Sequence, residues 1–278
     1  MTTTSTVARH AAGPASLGGN RKAGLAGALR SEFIKIRSVR STYWTLIAMI
    51  VVTIGIGVLA SFGAAQHPNQ VGPGFDATQR SLVGLILGQL IIVVLGALTI
   101  TSEYSTGMIR TSLTAMPRRG TLVAAKGIVF AAVTFVAGLI ASFASFFIGQ
   151  AILSGKHLDV TLGDPHVLRA VIGGALFLTA CGLLSFGLGL VLRHTAATIT
   201  ASVGLLFVVL ILSNFLPQSW QNDVDRWIPF NAGSSIWSAV PAPQSQHSFA
   251  AWPGFAVLAS YAAIAIVAGV ILFRKRDA

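Results

Sequence analysis

Six stretches of this chain run for about twenty residues or more without one Asp, Glu, Lys, Arg or His. They are Tyr43 to Gly63, Ser81 to Thr101, Gly127 to Leu153, Ala170 to Leu192, Thr195 to Leu216 and Pro253 to Phe273. A helix crossing roughly 30 Å of hydrocarbon needs about 20 apolar residues, so each run can span a bilayer, the third with tilt to spare. A soluble fold would have to cover these segments with a polar surface. Only 10% of the 278 residues are charged and 54% are hydrophobic, against about 25% charged in ordinary globular domains. With a mean hydropathy of +0.76, the bilayer must be the solvent for much of the surface. The expected fold is an all-α integral membrane protein with six transmembrane helices.

The charges between the runs set an orientation. With six spans, both ends lie on one side. That side holds fifteen Lys and Arg against three acids, and the other four against five. The positive-inside bias puts both termini in the cytoplasm. Clustering of cations at the ends of apolar runs also accounts for the net charge of +11, so nucleic acid is not an expected partner. The division that follows is a disordered tail over 1–24, an amphipathic segment over 25–42, the six-span domain over 43–273 and a basic tail over 274–278. Loops near 64–80, 154–169 and 217–252 face outward.

Two cytoplasmic features are more than connectors need to be. In LAGALRSEFIKIR, Leu25, Leu29, Phe33 and Ile36 share one stripe of a 3.6-residue helix, flanked by Arg30, Lys35 and Arg37. An apolar stripe edged with cations suits a helix lying in the headgroup layer, and a plain basic flank is the alternative. Between the second and third runs stands SEYSTGMIRTSLTAMPRRG, residues 102–120. On a helix Ile109, Leu113 and Met116 form a stripe, with Glu103, Gly107, Arg110 and Thr114 opposite. Pro117 would end that helix, and Arg118 and Arg119 would sit near the negative end of its dipole. Periodicity alone leaves two readings open: a short amphipathic helix, or a solvated, orientation-setting loop.

The order of these parts resembles the permease subunit of type-2 ABC exporters. The matching residues are Glu103, Tyr104, Gly107, Ile109, Arg110, Pro117, Arg118, Arg119 and Lys126, preceded by the amphipathic N-terminal helix. The resemblance implies that residues 103–119 form a coupling helix seated in a cleft of a separate ABC ATPase subunit. It implies a connecting helix beside it, represented by Leu29, Phe33, Lys35 and Ile36, and a smaller contact at Arg193. It also implies a second permease subunit, as homodimer or heterodimer, in a bacterial plasma membrane. WIPFNAGSSIW, residues 227–237, would then supply an external gate through Trp227, Pro229, Asn231, Gly233 and Trp237. An interfacial loop anchoring two spans is the alternative for that tryptophan-rich segment.

The remaining chemistry is sparse. No G-x-x-x-x-G-K-[ST] is present, so ATP and Mg are expected in the partner, with no cofactor or metal bound here and no enzyme activity. No ionisable residue lies inside a span by the boundaries above, which disfavours coupling to an ion gradient. Gln89, Gln150 and Asn214 are the polar candidates for helix contacts or a pathway. His157, Asp159, Asp164 and His166 match no established metal spacing, and Cys181 stands alone. The expected function is ATP-driven export of an amphipathic or hydrophobic compound such as a drug, peptide or lipid-like metabolite. The alternatives are a membrane-anchored assembly or sensor protein, and an ATP-independent facilitator.

Overall fold

The computed structural model describes residues 25–72, 74–105, 119–240 and 248–275, and all regular structure among them is helical. Helix α1 (Leu25–Ser38) is followed by a break at Val39 and by α2 (Arg40–Gln66). A short α3 (Ala77–Leu82) precedes α4 (Leu85–Ser105). The longest helix is α5 (Arg119–Ser154), followed by α6 (Val167–Leu192) and α7 (Thr195–Ser213). Two short helices, α8 (Gln218–Asp225) and α9 (Pro229–Ser234), lead to α10 (Ala251–Lys275). Helices α2, α4, α5, α6, α7 and α10 are each long and apolar enough to cross a membrane.

The helices overrun or subdivide the apolar runs at several places. Residues from Ser81 belong to α3, and the second span starts at Leu85 after a turn at Val83 and Gly84. Asp76 accounts for α3, since its Oδ1 accepts the Gln79 N–H at 2.8 Å and so caps the helix. The third span begins at Arg119, eight residues before Gly127, and so carries Lys126 within its helix. Likewise α4 carries Glu103. The fifth span ends at Ser213 and contains a π-turn over Gly204–Val208.

Helix α6 is the axis of the bundle. It packs against α4, α5 and α10, and 67% of its most apolar window is buried, against 17% for α7. Glycines let neighbouring backbones approach where a side chain would not fit. A Cβ on Gly84 would lie 1.9 Å from the Thr53 carbonyl oxygen of α2, and one on Gly96 would lie 2.4 Å from the Gly182 carbonyl of α6. Lipid offers no hydrophobic gain for helix association, so such close contact and interhelical hydrogen bonds hold the spans together. Examples of the second kind are Ser145 Oγ donating to the Ser81 carbonyl at 2.6 Å and Ser185 Oγ to that of Val93 at 2.7 Å.

A buried charge cluster joining three helices

Four ionisable side chains from three separated parts of the chain meet at one end of the bundle. Glu32 comes from α1, Glu103 from the last turn of α4, and Lys126 from the second turn of α5. Lys126 Nζ donates to Glu32 Oε2 at 2.5 Å and to Glu103 Oε1 at 2.8 Å. Lys35, one turn beyond Glu32, donates to Glu32 Oε1 at 2.8 Å and reaches Glu103 Oε1 at 3.4 Å. Relative exposures of 1% for Glu32, 7% for Glu103 and 5% for Lys126 place three of the four charges in the interior.

The arrangement is physically demanding. Each buried ion costs several kcal/mol of desolvation, which only close pairing repays. Two carboxylates and two ammonium groups give a neutral cluster, and Lys126 is its centre because it alone touches both acids from the interior. Burial by itself pushes the Glu32 carboxyl up, but the Lys126 charge and the hydrogen bonds from Lys126 and Lys35 outweigh it, so Glu32 lies below its ordinary value. Burial correspondingly lowers the Lys35 ammonium, while Glu32 and Glu103 raise it by more.

These shifts set a pH window. The lowered Glu32 contributes stability above its ordinary pKa of 4.5 and loses it as pH falls through the lower folded value. The raised Lys35 contributes in full below 10.5 and loses it as pH rises through the higher folded value. Docking of α1 should therefore be flat between about pH 5 and about pH 10. A spin-label distance between α1 and α5 checks this, and a transition near neutral pH would contradict it.

Glu103 and Tyr104 leave α4 on different sides. While Glu103 joins the charge cluster, the Tyr104 ring lies edge-on to Phe273 near the end of α10, with centroids 6.4 Å apart. The Arg193 guanidinium sits 5.2 Å from the centre of the same ring, within range of a cation–π contact. Arg193 itself closes α6 in the left-handed region, with φ of 57°, and its N–H donates to the Gly189 carbonyl. Ile100, Val123, Phe186, Leu190 and Phe273 fill the space around them. The last turn of α4 is thus tied to α1 and α5 through charge, and to the α6–α7 junction and α10 through rings.

The other positions singled out in the sequence fare differently. Gly107, Ile109, Arg110, Pro117 and Arg118 lie outside the described residues, and Arg119 opens α5. On α1, Ala28 and Glu32 are the buried residues, Leu29 and Ile36 are half-buried, and Leu25 and Phe33 face outward. The helix therefore meets the bundle along its Ala28, Glu32 and Lys35 edge. The apolar stripe hid this edge, because the anchoring residue is an acid. Lys126 stood among the motif residues, but its partners lie 94 and 23 positions away and no local pattern points to them.

Of the span residues, Gln150 is a pin. Its Nε2 donates to the Ala77 carbonyl and to Ser81 Oγ, and its Oε1 accepts the Val160 N–H. Gln89 is buried and its Oε1 accepts the Cys181 thiol at 3.5 Å. Asn214 is exposed and donates to carbonyls of its own helix. In the 154–169 loop, Asp164 accepts from the Thr161 backbone and hydroxyl.

At the opposite end, residues 227–237 do not form one surface. Pro229 and Gly233 are buried, and Trp237, 3% exposed, lies beside Phe177 with centroids 6.2 Å apart. Asn231 donates to the Asp225 carbonyl. Trp227 is half exposed and meets Phe249 edge-on at 5.0 Å. Two charges hold the chain just beyond. Asp76 Oδ2 accepts from Ser238 Oγ and from the Ala239 and Val240 N–H groups at 2.9, 2.6 and 2.9 Å. Arg169 donates to the Ile236 and Ser238 carbonyls at 3.3 and 2.9 Å.

Asp76→Ala would remove both that triple acceptor and the cap of α3. Partly exposed groups of this kind are worth about 1–3 kcal/mol together. The expected result is faster protease cleavage near residue 240 with the membrane spans intact.

Six membrane-competent helices, with a charged cluster where α1, α4 and α5 meet, define a multi-pass membrane protein. A family model described as an ABC-2 family transporter protein matches residues 28–217, more than half of the 278-residue chain. The chain belongs to the ABC-2 transporter family, as a membrane permease. A comparison with curated proteins found no match.

Proposed function

We propose that this permease works as the membrane half of an ATP-driven exporter, with residues 103–119 as the element on which a separate ABC ATPase subunit acts. The observation that carries the reading is the charge cluster. It grips that segment at its first residue, Glu103, and beyond its end at Lys126, and ties both to α1. A push on the loop therefore moves the ends of α4 and α5 and the N-terminal helix as one body. The basic end is the cytoplasmic one in this reading, which follows from the charge asymmetry. The chain itself would bind no ATP, and ATP with Mg would belong to the partner.

A second permease subunit completes the proposal. Helices α2, α7 and α10 bury only 22%, 17% and 22% of their apolar windows within this chain, leaving faces for lipid or a second copy. Apart from Glu103 and Lys126 in the cluster, the buried polar groups of the span helices, Gln89 and Gln150 among them, are amides and hydroxyls. That environment suits an amphipathic or hydrophobic cargo better than an ionic one.

The test begins with purification in mild detergent. An ABC ATPase should copurify, and its turnover should respond to this chain. Charge reversal at Glu103 should reduce that response about tenfold or more, since a buried charge pair broken on one side costs several kcal/mol, with membrane insertion unchanged. Charge reversal at Arg110, a residue of the motif that the resemblance places on the coupling segment, should also reduce it. Absence of any ATPase from the complex would contradict the reading, and so would normal transport by both variants.

A further inference from the structure

The end of the bundle away from the charge cluster carries a groove of about 520 Å³ between the end of α2 and the turn leading into α3. This volume lies in the range of small-molecule sites, about 300–1,000 Å³. One wall is small and apolar, made by Ala60, Gly63 and Ala64 with His67 at the end of the same helix, and Phe75 and Arg80 line the groove from the turn and helix that follow. The groove is roomy on the helix side, because a Cβ built on Gly63 would meet nothing within 4 Å.

Arg80 is the notable member. Its guanidinium lies 5.9 Å from the centre of the Phe75 ring, and no carboxylate pairs with it among the described residues. Asp76, one turn earlier on the chain, would be the natural partner. Its two oxygens are instead taken by Gln79, Ser238, Ala239 and Val240. The cation is thus left facing a groove whose other wall belongs to the apolar flank of a membrane span.

We propose that this groove binds an anionic amphiphile, with its phosphate or carboxylate head at Arg80 and its chain along Ala60, Gly63 and Ala64. A cation at the rim, an aromatic ring beneath it and a small-residue track running toward the hydrocarbon match the two halves of such a molecule. His67 at the same rim can donate a hydrogen bond to the head. The ligand chemistry has two sources, a bilayer lipid with an anionic headgroup or a single-chain amphiphile arriving as cargo. This site does not depend on the coupling segment or on an ATPase, so its test is separate from that of the transport reading.

The experiment uses the full chain in nanodiscs. In the first arm, the discs contain phosphatidylcholine and dodecyl phosphate is titrated in. In the second arm, phosphatidylglycerol replaces part of the lipid, and the lipid retained by the protein is weighed by native mass spectrometry. Arg80→Gln removes the charge, and Gly63→Leu fills the groove with a side chain that has open space to enter, so neither should disturb the fold. Each should weaken binding about tenfold in whichever arm shows it, the scale of one lost charge-assisted contact. Binding confined to the first arm assigns the site to cargo, and binding confined to the second assigns it to lipid. Dodecylphosphocholine, with a zwitterionic head, should bind about tenfold more weakly than dodecyl phosphate. Binding in neither arm would overturn the proposal, as would binding by both variants as tight as by the wild-type chain, or equal affinity for the zwitterionic head.

Discussion

Lys126→Met is expected to release α1 from the bundle and to uncouple the permease from its driving subunit. The substitution keeps an unbranched apolar stem of similar length and removes the one cation that touches both buried carboxylates. Glu32 and Glu103 would then face each other across an interior site, neutralised only by the more exposed Lys35. Removing one partner of a buried ion pair costs about 3–5 kcal/mol, because the remaining charge stays desolvated. Lys35 can offset little of this, since pairs that reach solvent are worth about 1 kcal/mol or less. Hydrogen exchange over residues 25–38 should rise by about 100-fold or more. A comparison variant separates charge from shape. Lys126→Met combined with Glu32→Gln and Glu103→Gln removes all three interior charges, so α1 should stay docked more firmly than with Lys126→Met alone. Equal loss in the two variants would mean that packing, and not pairing, holds the helix.

Gly84→Leu is the second large effect. Any Cβ at this position would sit 1.9 Å from the Thr53 carbonyl oxygen, 2.7 Å from its carbon and 2.9 Å from its Cα. All three are backbone atoms of a membrane helix and cannot swing aside as a side chain would. The α2–α4 contact must open, with loss of the neighbouring approach of Gly88 to Thr53 Oγ1. Overpacking of a core typically costs about 1–3 kcal/mol, and a backbone obstacle places this case at or above the upper end. Thermal unfolding in detergent should shift down by several degrees, while Gly63→Leu, made in open space on the flank of α2, should leave it unchanged. A similar melting temperature for Gly84→Leu would show that α2 and α4 are not in this contact.

The spans were readable because the bilayer imposes a length and a composition on each of them, and no other structure needs twenty uncharged residues six times over. Their ends were less so. Lys126 and Glu103 lie inside helices that continue past the uncharged runs, and beyond such a run nothing in composition says whether a helix goes on. The α3–α4 break was hidden for a related reason. Ser81, Leu82 and Val83 are apolar enough to read as span, and only the Asp76 cap, four residues before Arg80, marks the separate turn. In the candidate site, local pattern identified α1 as amphipathic, and the family resemblance put Glu103, Tyr104 and Lys126 in one motif. What stayed hidden was Glu32. Its role comes from a lysine 94 positions away, and one acid among the basic residues of α1 carries no periodic signal. The fixed point of the outer segment, Asp76 with Ser238, Ala239 and Val240, joins residues more than 160 positions apart and was invisible for the same reason.

ATP turnover of the purified complex, compared between the wild-type chain, Lys126→Met and Lys126→Arg, is the most direct test of coupling through the charge cluster. Lys126→Met should lose the dependence of turnover on cargo while the ATPase stays bound, and Lys126→Arg, which keeps the charge, should retain much of it. Turnover that responds to cargo equally in all three would show that the force does not pass through this cluster.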